Sequence, residues 1–360
     1  MKLGQVSEAK AYSYVNARIK ARKGQLLAAA DYERLLSGSL TEGLAFLQDI
    51  PRYQETFSNV DPISIGSVKN LERILYKNYF TEIFVLAKDI PKKSLTLIEF
   101  YLKQSYLNAL KHIIRQIHVN EFETLSLDEY FVATLDEKTE LTIISKVKTI
   151  EELIKNLQTP RVIEALNSVI DEYKRQENIL LLENTLDHFF YRQLWDFVIP
   201  LQTKRDQEVA QKIIGMEIDL ININLILRGK LLNYPPNEIQ AQIIPINYKL
   251  SSTLSQALKA FTFNEAIEIF QTTTYADLIQ AINREYREKE KSLEKIEQLQ
   301  QEWFIQALFT MLAGYPFHIG TFLAYIVFRR QETENLRIIF ETKWKGIDLE
   351  FARELLIYFK

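Results

Sequence analysis

The chain contains no cysteine among its 360 residues. That excludes a disulfide scaffold, a thiolate metal site and a cysteine nucleophile, and it fits a reducing compartment. Glycine (10) and proline (9) are both scarce against an average usage of roughly 7% and 5%. Turn-rich β architectures consume more of both, so the composition predicts an all-α chain. No sign of charge dominates: 44 basic against 47 acidic side chains leave a net charge of −3. No global field therefore draws the protein to nucleic acid, and that partner class is not expected. Histidine is rare. His112 and His118 are six apart and fall on different helix faces, while His188 and His318 are isolated. No ligand pair at i,i+4 spacing results, so no metal is expected. Neither GxxxxGK[ST], GxGxxG nor GxSxG occurs, and no cofactor is expected. The N-terminal stretch MKLGQVSEAKAYSYVNARIK is charged throughout and has no apolar core of signal-peptide type. It reads as the start of a soluble cytoplasmic protein.

What the sequence does have is length enough for a large core and two or three domains, and one long uncharged run. From Trp303 to Phe328, WFIQALFTMLAGYPFHIGTFLAYIVF, 26 residues pass without Asp, Glu, Lys or Arg. Length alone permits a membrane span. Gly314, Pro316, His318 and Gly320 fall in its middle, however, and proline breaks a helix. The run therefore predicts two packed helices joined near Gly314–Pro316, each too short to span.

It also has a repeated phrase. SLTEGLAFLQ (39–48), TIEELIKNLQ (149–158) and TFNEAIEIFQ (262–271) share Ser or Thr, Glu at +3, apolar residues at +5 and +8, and a closing Gln. Each is a capping box, in which the hydroxyl and the Glu satisfy helix N-terminal donors reciprocally. A second landmark is an Asn before an apolar helical stripe: Asn108, Asn222 and Asn335, spaced 114 and 113 apart. An acid precedes the last two by three residues, at Asp219 and Glu332, where the first copy has Ser105. A third is Pro after an apolar residue, at Ile90–Pro91, Ile199–Pro200 and Tyr315–Pro316. Three landmarks in one order predict a tandem triplication, with helical subdomains over 1–137, 138–250 and 251–360 and the three Asn residues pseudo-equivalent.

Each copy reads as a short capped helix, a long amphipathic helix, a Pro-marked turn and a third helix carrying the Asn. In the first, Val68, Leu71, Leu75, Tyr79, Ile83 and Leu86 follow helical spacing. The second long helix is expected from about Arg161 to Trp195. The third begins near Tyr275 and contains REYREKEKSLEKIEQLQQE (284–302), with five basic and six acidic residues over a narrow stripe of Ile282, Tyr286, Leu293, Ile296 and Trp303. Alternating signs, including Glu285 and Lys289 at i,i+4, describe a solvated helix face. A short helix follows in GIDLEFARELLIYF (346–359). A period near 113 is too long for tetratricopeptide or HEAT arrays, with units of roughly 34–47 residues, and three such units can close around a pseudo-threefold axis.

Little in the chain looks catalytic. Among the acids, only Glu217 and Asp219 sit inside an apolar run in a way that invites a perturbed pair, and helix packing or capping accounts for them more simply. The recurrent Asn reads either as a half-buried register-fixing group or as part of a shared central surface. The cluster Arg18, Lys20, Arg22, Lys23 reads as a wet helix face, or as a contact for acidic headgroups if the protein lies beside a membrane.

The segments YSYVNARIKARKGQLL with DYERLL, DLININLILRGK and AYIVFRRQETENLRIIFETKWKGIDLEFARELL resemble the C subunits of the archaeal-type V/A-ATPases, which are related to the d subunits of eukaryotic V-ATPases. The matching phrases are Tyr14 to Arg18; Asp219, Asn222, Ile223, Arg228 and Lys230; and Glu332, Asn335, Leu336, Arg337, Lys343 and Gly346. Gly229 stands where that family more often has Ala. The resemblance implies a funnel of three helical subdomains with no catalytic activity and no cofactor. It implies a monomer within a hetero-oligomeric complex, peripheral on the cytoplasmic side of the membrane, between the central shaft of the ATPase head and the proteolipid rotor ring. Each third helix ends in basic side chains: Arg115, then Arg228 and Lys230, then Lys343. The macrodipole favours cations there by about 0.3–1 kcal/mol each. On the resemblance, Arg228, Lys230 and Lys343 are expected to hold an acidic or carbonyl-rich end of the shaft. A helical scaffold that binds elsewhere, and a helical enzyme with a carboxylate site, are the competing classes.

Overall fold

A computed structural model describes residues 3–58, 67–122, 135–201, 203–288, 293–312, 314 and 316–359. Lys289 and Tyr315, named above, lie outside the described residues, as does the side chain of Leu293. The described residues form helices and no strand, as the scarcity of Gly and Pro predicts. The chain divides into two compact units, one made of Met1–Leu95 with Gln301–Lys360, the other of Thr96–Gln300. The subdomain boundary expected at 137 falls within a helix, Leu135–Ile144.

In the first unit, helix α1 (Leu3–Lys23) leads to three short helices, α2 (Ala29–Ser37), α3 (Leu40–Gln48) and α4 (Pro51–Phe57), and then to α5 (Val68–Ala87). Ser39 caps α3 as expected: its hydroxyl accepts from Glu42 N–H and Glu42 Oε2 accepts from Ser39 N–H. Proline at the first position of α4 forfeits a donor that no helix would use. Leu71, Leu75, Tyr79, Ile83 and Leu86 of α5 are buried, the stripe their spacing predicts. They face α19 (Gly320–Lys345), whose residues from Phe322 to Phe328 are all about 1% exposed or less. A helix apolar on every side must be enclosed on every side. Leu336, Ile339 and Phe340 of α19 join Leu35, Leu36, Leu44, Leu47 and Tyr53 in one core cluster, and α20 (Leu349–Leu355) adds Ala352. Each buried Leu, Ile or Phe contributes roughly 1.5–3 kcal/mol by leaving water.

The uncharged run from Trp303 to Phe328 forms parts of two helices. The first, α18 (Leu293–Leu312), ends before Pro316, and α19 begins at Gly320. They pack, with Phe309 stacked on Phe328 at 4.3 Å between ring centroids. Among the described residues no helix is long and apolar enough to cross a membrane.

In the second unit the corresponding long helix is α13 (Lys204–Leu231), buried from Ile213 to Leu220. The hairpin of α15 (Ser251–Lys259) and α16 (Phe263–Phe270) packs on it. The single helix expected over 161–195 is three: α10 (Pro160–Asn167), α11 (Ile170–Gln176) and α12 (Leu180–Val198). Glu177 takes left-handed backbone (φ 51°) and closes α11, and Asn178 Oδ1 then accepts from Leu180 N–H to open α12. Side chains that favour local turns override the helical period there. Thr149 and Thr262 also cap as predicted, but the glutamate of each box reaches one residue further back: Glu152 accepts from Lys148 N–H, and Glu265 from Phe261 N–H.

Candidate functional site

Two places in the molecule are built alike, one on α13 and one on α19. In the first, Asn222 is fully buried and closes a two-bond ring with a residue further along the chain. Its Nδ2 donates to Ile244 O at 3.1 Å and its Oδ1 accepts from Ile244 N–H at 2.9 Å. On α19, Asn335 Nδ2 donates to Ile357 O at 2.7 Å and Oδ1 accepts from Ile357 N–H at 3.2 Å. Both rings span 22 residues. An amide side chain carries a donor and an acceptor side by side, so it pairs the N–H and C=O of one residue at once without charge.

One helical turn earlier, each site carries an acid that grips the entrance of a helix hairpin. Asp219 accepts from Lys249 N–H at 2.8 Å, from Tyr248 N–H at 3.4 Å and from the Tyr275 hydroxyl at 2.8 Å. Glu332 accepts from Leu27 N–H at 2.7 Å and from the Tyr53 hydroxyl at 2.7 Å. Leu27 precedes α2 by two residues and Lys249 precedes α15 by two. Each tyrosine lies just beyond the second hairpin helix or in the helix that follows it. The third contact is a lysine. Lys230 Nζ donates to Leu258 O at 2.8 Å, and Lys343 Nζ donates to Leu36 O at 2.7 Å. Each ammonium thus closes the C-terminus of the first hairpin helix, where carbonyls are otherwise unpaired. Leu27, Leu36 and Tyr53 lie 222 residues before Lys249, Leu258 and Tyr275.

Close approach makes the α13 grip possible. A Cβ on Gly215 would sit 2.4 Å from Cγ of Tyr248, so the ring lies on bare helix backbone and brings the 248–249 amides over Asp219. Gly229 has a similar reason: a Cβ there would lie 2.5 Å from the Ile239 side chain.

The two acids differ in electrical company. Burial raises the carboxyl of Asp219 above the ordinary aspartate range, against hydrogen bonds from Tyr275 and the two amides that favour its anion. Glu332 instead belongs to a buried ionic cluster. Arg329, wholly buried, donates Nη1 to Glu332 at 2.8 Å, Nε to Glu82 at 2.7 Å and Nη2 to Asn78 Oδ1 at 2.9 Å. Arg52 pairs with Glu332 at 2.9 Å, while Arg22 and the Tyr325 hydroxyl each reach Glu82 at 2.7 Å. Burial pushes Glu82 up, but Arg329 and Arg52 outweigh it and hold the carboxyl at about 2. The expectation that only Glu217 and Asp219 are acids in apolar surroundings is thereby corrected: Glu82 and Glu332 are buried too. Their signal was an acid on the apolar face of α5, and Arg329 and Glu332 three apart just past an uncharged run. Glu217 itself accepts from the Tyr101 hydroxyl at 2.8 Å.

The remaining expected site residues are dispersed. Asn108 is exposed on α7 (Gln104–Val119). Arg228 is half exposed and pairs with Glu297 at 3.1 Å, and Arg115 pairs with Glu183. His112, His118, His188 and His318 contact Gln116, Tyr173, Gln242 O and Gly320 N–H in turn. No group of three or more His, Asp or Glu among the described residues could hold a metal ion. What the paired sites do is mechanical: they fasten helix hairpins to long buried helices through acceptors that are already filled.

Comparison with known proteins covers nearly the whole chain. The family model described as ATP synthase (C/AC39) subunit matches residues 15–355. The C subunit of the A-type ATP synthase of Methanocaldococcus jannaschii is 26% identical over 358 residues, covering 96% of this chain and 86% of the relative. That of Archaeoglobus fulgidus is 25% identical over 352 residues, covering 96% of each. That of Desulfurococcus sp. is 24% identical over 347 residues, covering 96% and 90%.

Proposed function

Because the chain belongs to the ATP synthase (C/AC39) subunit family, we propose that it is a non-catalytic central-stalk component of a V/A-type rotary ATPase or ATP synthase. In this reading it couples the rotating shaft to the membrane proteolipid ring, lying peripherally on the cytoplasmic side. The observation that carries the proposal is the match over residues 15–355, which spans both hairpin-gripping sites. A part that transmits torque needs stiffness rather than chemistry, and hydrogen-bonded buried polar networks rigidify a fold.

The three-subdomain funnel, with divisions near 137 and 250, is part of the same proposal. It is supported by the 113-residue spacing of Asn222 and Asn335 and by the 222-residue spacing of the two hairpins. A hairpin at the chain's start that docks on a helix at its end is what closure of three tandem units requires. Of the three cations proposed to meet the shaft, Arg228 has the exposed guanidinium and makes the contact. Lys230 and Lys343 shape the socket from within by fixing the hairpin ends.

The test is recovery of the tagged full-length chain from detergent-solubilised membranes. Head and ring components should co-purify in fixed ratio. Quantitative recovery of the chain without any part of the ATPase would overturn the proposal and favour a scaffold that binds elsewhere.

A further inference from the structure

Helix α1 carries four cations in its last six residues, and the structure treats them in two ways. Arg18 pairs with Asp89, and Arg22 pairs with Glu82. The ammonium groups of Lys20 and Lys23, three apart and so on a neighbouring face, make no ion pair or hydrogen bond among the described residues. Both line an open recess of about 60 Å³ whose other walls are Ile19 of α1, Leu312 of α18, Pro316, and Thr321, Tyr325 and Phe328 of α19. Lys23 is half-buried, with Nζ 4.2 Å from the Phe309 centroid and 5.8 Å from that of Phe328. Burial lowers its pKa. The floor is fixed: Thr321 Oγ1 donates to Pro316 O at 2.9 Å, and Asn16 Nδ2 donates to the same carbonyl.

An apolar recess with two cations at one edge and no carboxylate among its lining residues is complementary to an anion that carries a hydrocarbon stem. We propose that this recess binds the headgroup phosphate and first methylenes of an acidic phospholipid, with Lys20 and Lys23 on the phosphate and Ile19, Leu312 and Phe328 against the stem. The recess is smaller than the pockets that enclose whole ligands; it takes only the headgroup end and leaves the acyl chains outside, in a bilayer. The inference rests on the proposed position beside a membrane for its physiological setting, though the chemistry of the recess does not.

The full-length protein is mixed with phosphatidylcholine vesicles with or without phosphatidylglycerol, and sedimentation measures binding. Lys20→Gln/Lys23→Gln should lose about thirtyfold in partitioning to the anionic vesicles, the effect of two lysines at a charged surface. Lys155→Gln/Lys204→Gln, removing two exposed lysines elsewhere, should change it little. Leu312→Trp fills the recess without altering charge and should also weaken binding. In the wild-type protein, dihexanoyl phosphatidylglycerol should shield Lys20 and Lys23 from amine acetylation, a readout that does not depend on any variant folding. Equal losses from both lysine pairs, or no effect of Leu312→Trp, would leave only a general basic surface and overturn the site. Shielding as strong by inorganic phosphate as by the short-chain lipid would overturn the amphiphile and leave a simple anion site. Co-purification with the ATPase without lipid binding would sink this inference and leave the proposed function standing.

Discussion

The grips on α13 and α19 use the same parts and balance them differently. At α13 the hairpin is 30 residues downstream of the acid and is held by neutral donors around Asp219. At α19 it lies 305 residues away, at the other end of the chain. Loop-closure entropy grows as about (3/2)RT ln n, so a tenfold longer loop costs about 2 kcal/mol more to close. The distant grip has correspondingly stronger contacts. Glu332, longer by one methylene than Asp219, reaches Arg329 and Arg52 as well as the hairpin, and charge-assisted hydrogen bonds are worth roughly twice neutral ones. The acid of the local grip meets only neutral donors; the acid of the grip that joins the chain's ends is part of an ionic cluster. The difference teaches where the molecule is sensitive to charge.

Removing the centre of the ionic grip should therefore have the largest effect. Arg329→Met leaves Glu82 and Glu332 buried without their main cation, and breaking a buried pair costs about 3–5 kcal/mol. Urea unfolding followed by circular dichroism should show that loss. Asp219→Asn at the other grip strands hydrogen-bond donors but no charge, and should cost about 1–3 kcal/mol. Equal losses would break the comparison.

Acid should separate the two grips next. The folded-state carboxyl of Glu82 is lowered to about 2 from an ordinary 4.5. The unfolded state thus binds the proton first as pH falls, and the stability that Glu82 contributes, present above pH 4.5, is lost between 4.5 and about 2. At 1.36 kcal/mol per pKa unit the loss is about 3 kcal/mol. Asp219 has the opposite sign, being raised by burial despite its hydrogen bonds. Its folded form takes up the proton first, so its contribution to stability grows as pH falls through the range just above the ordinary aspartate value. Amide hydrogen exchange at about pH 3 against about pH 6, either side of the ordinary carboxylate range, should show α2–α5 losing protection before α15 and α16. Simultaneous loss would mean that the grips are not electrically distinct.

The two asparagines sharpen the likeness rather than the difference. Asn222→Ala and Asn335→Ala each strand one buried N–H and one buried C=O, at about 1–3 kcal/mol per group before relaxation or water entry. Matched losses of about 2–3 kcal/mol are expected. Asn108→Ala, at an exposed position, should stay within about 0.5 kcal/mol. A large cost at Asn108 would support it as the third equivalent; unmatched costs at the other two would deny that the grips are repeats.

How far the sequence disclosed this arrangement depends on the range of each interaction. Capping boxes, the α5 stripe and the break near Pro316 are local, and periodicity with N-cap chemistry found them. The two breaks that divide 161–195 into three helices were missed because their signals, Ser168–Val169 and left-handed Glu177 followed by Asn178, are two residues each inside a helical pattern. The spacing of Asp219–Asn222 and Glu332–Asn335 is what the sequence shows of the two sites, and it does not indicate their partners. Apart from the hydroxyls of Tyr53 and Tyr275, those partners that open the hairpins and close the asparagine rings are backbone groups of Leu27, Lys249, Ile244 and Ile357, groups every residue has, so no side chain announces them. For the same reason Lys230 and Lys343 read as surface cations, whereas their ammonium groups face inward to a neighbouring helix end.

Those cations carry the smallest expected effects on stability and divide in a way that tests their roles. Lys230→Met and Lys343→Met keep the aliphatic stem but leave Leu258 O and Leu36 O without their donor. Both lysines remain partly open to water, which can replace some of the bond, so each loss should be about 1 kcal/mol. Burial lowers both ammonium pKa values, so each folded form releases its proton before the unfolded chain does. Arg228 makes an exposed pair with Glu297, and such pairs contribute a median of about 0–1 kcal/mol. Arg228→Ala should shift the melting temperature hardly at all. Its proposed role is at a partner's surface, where Arg228→Glu should slow assembly with the ATPase head, more at low salt than at high, because rim charges act on association and are screened. Normal assembly by Arg228→Glu, with a stability loss at Lys230→Met, would assign all the function on this stretch of α13 to the hairpin and none to the shaft.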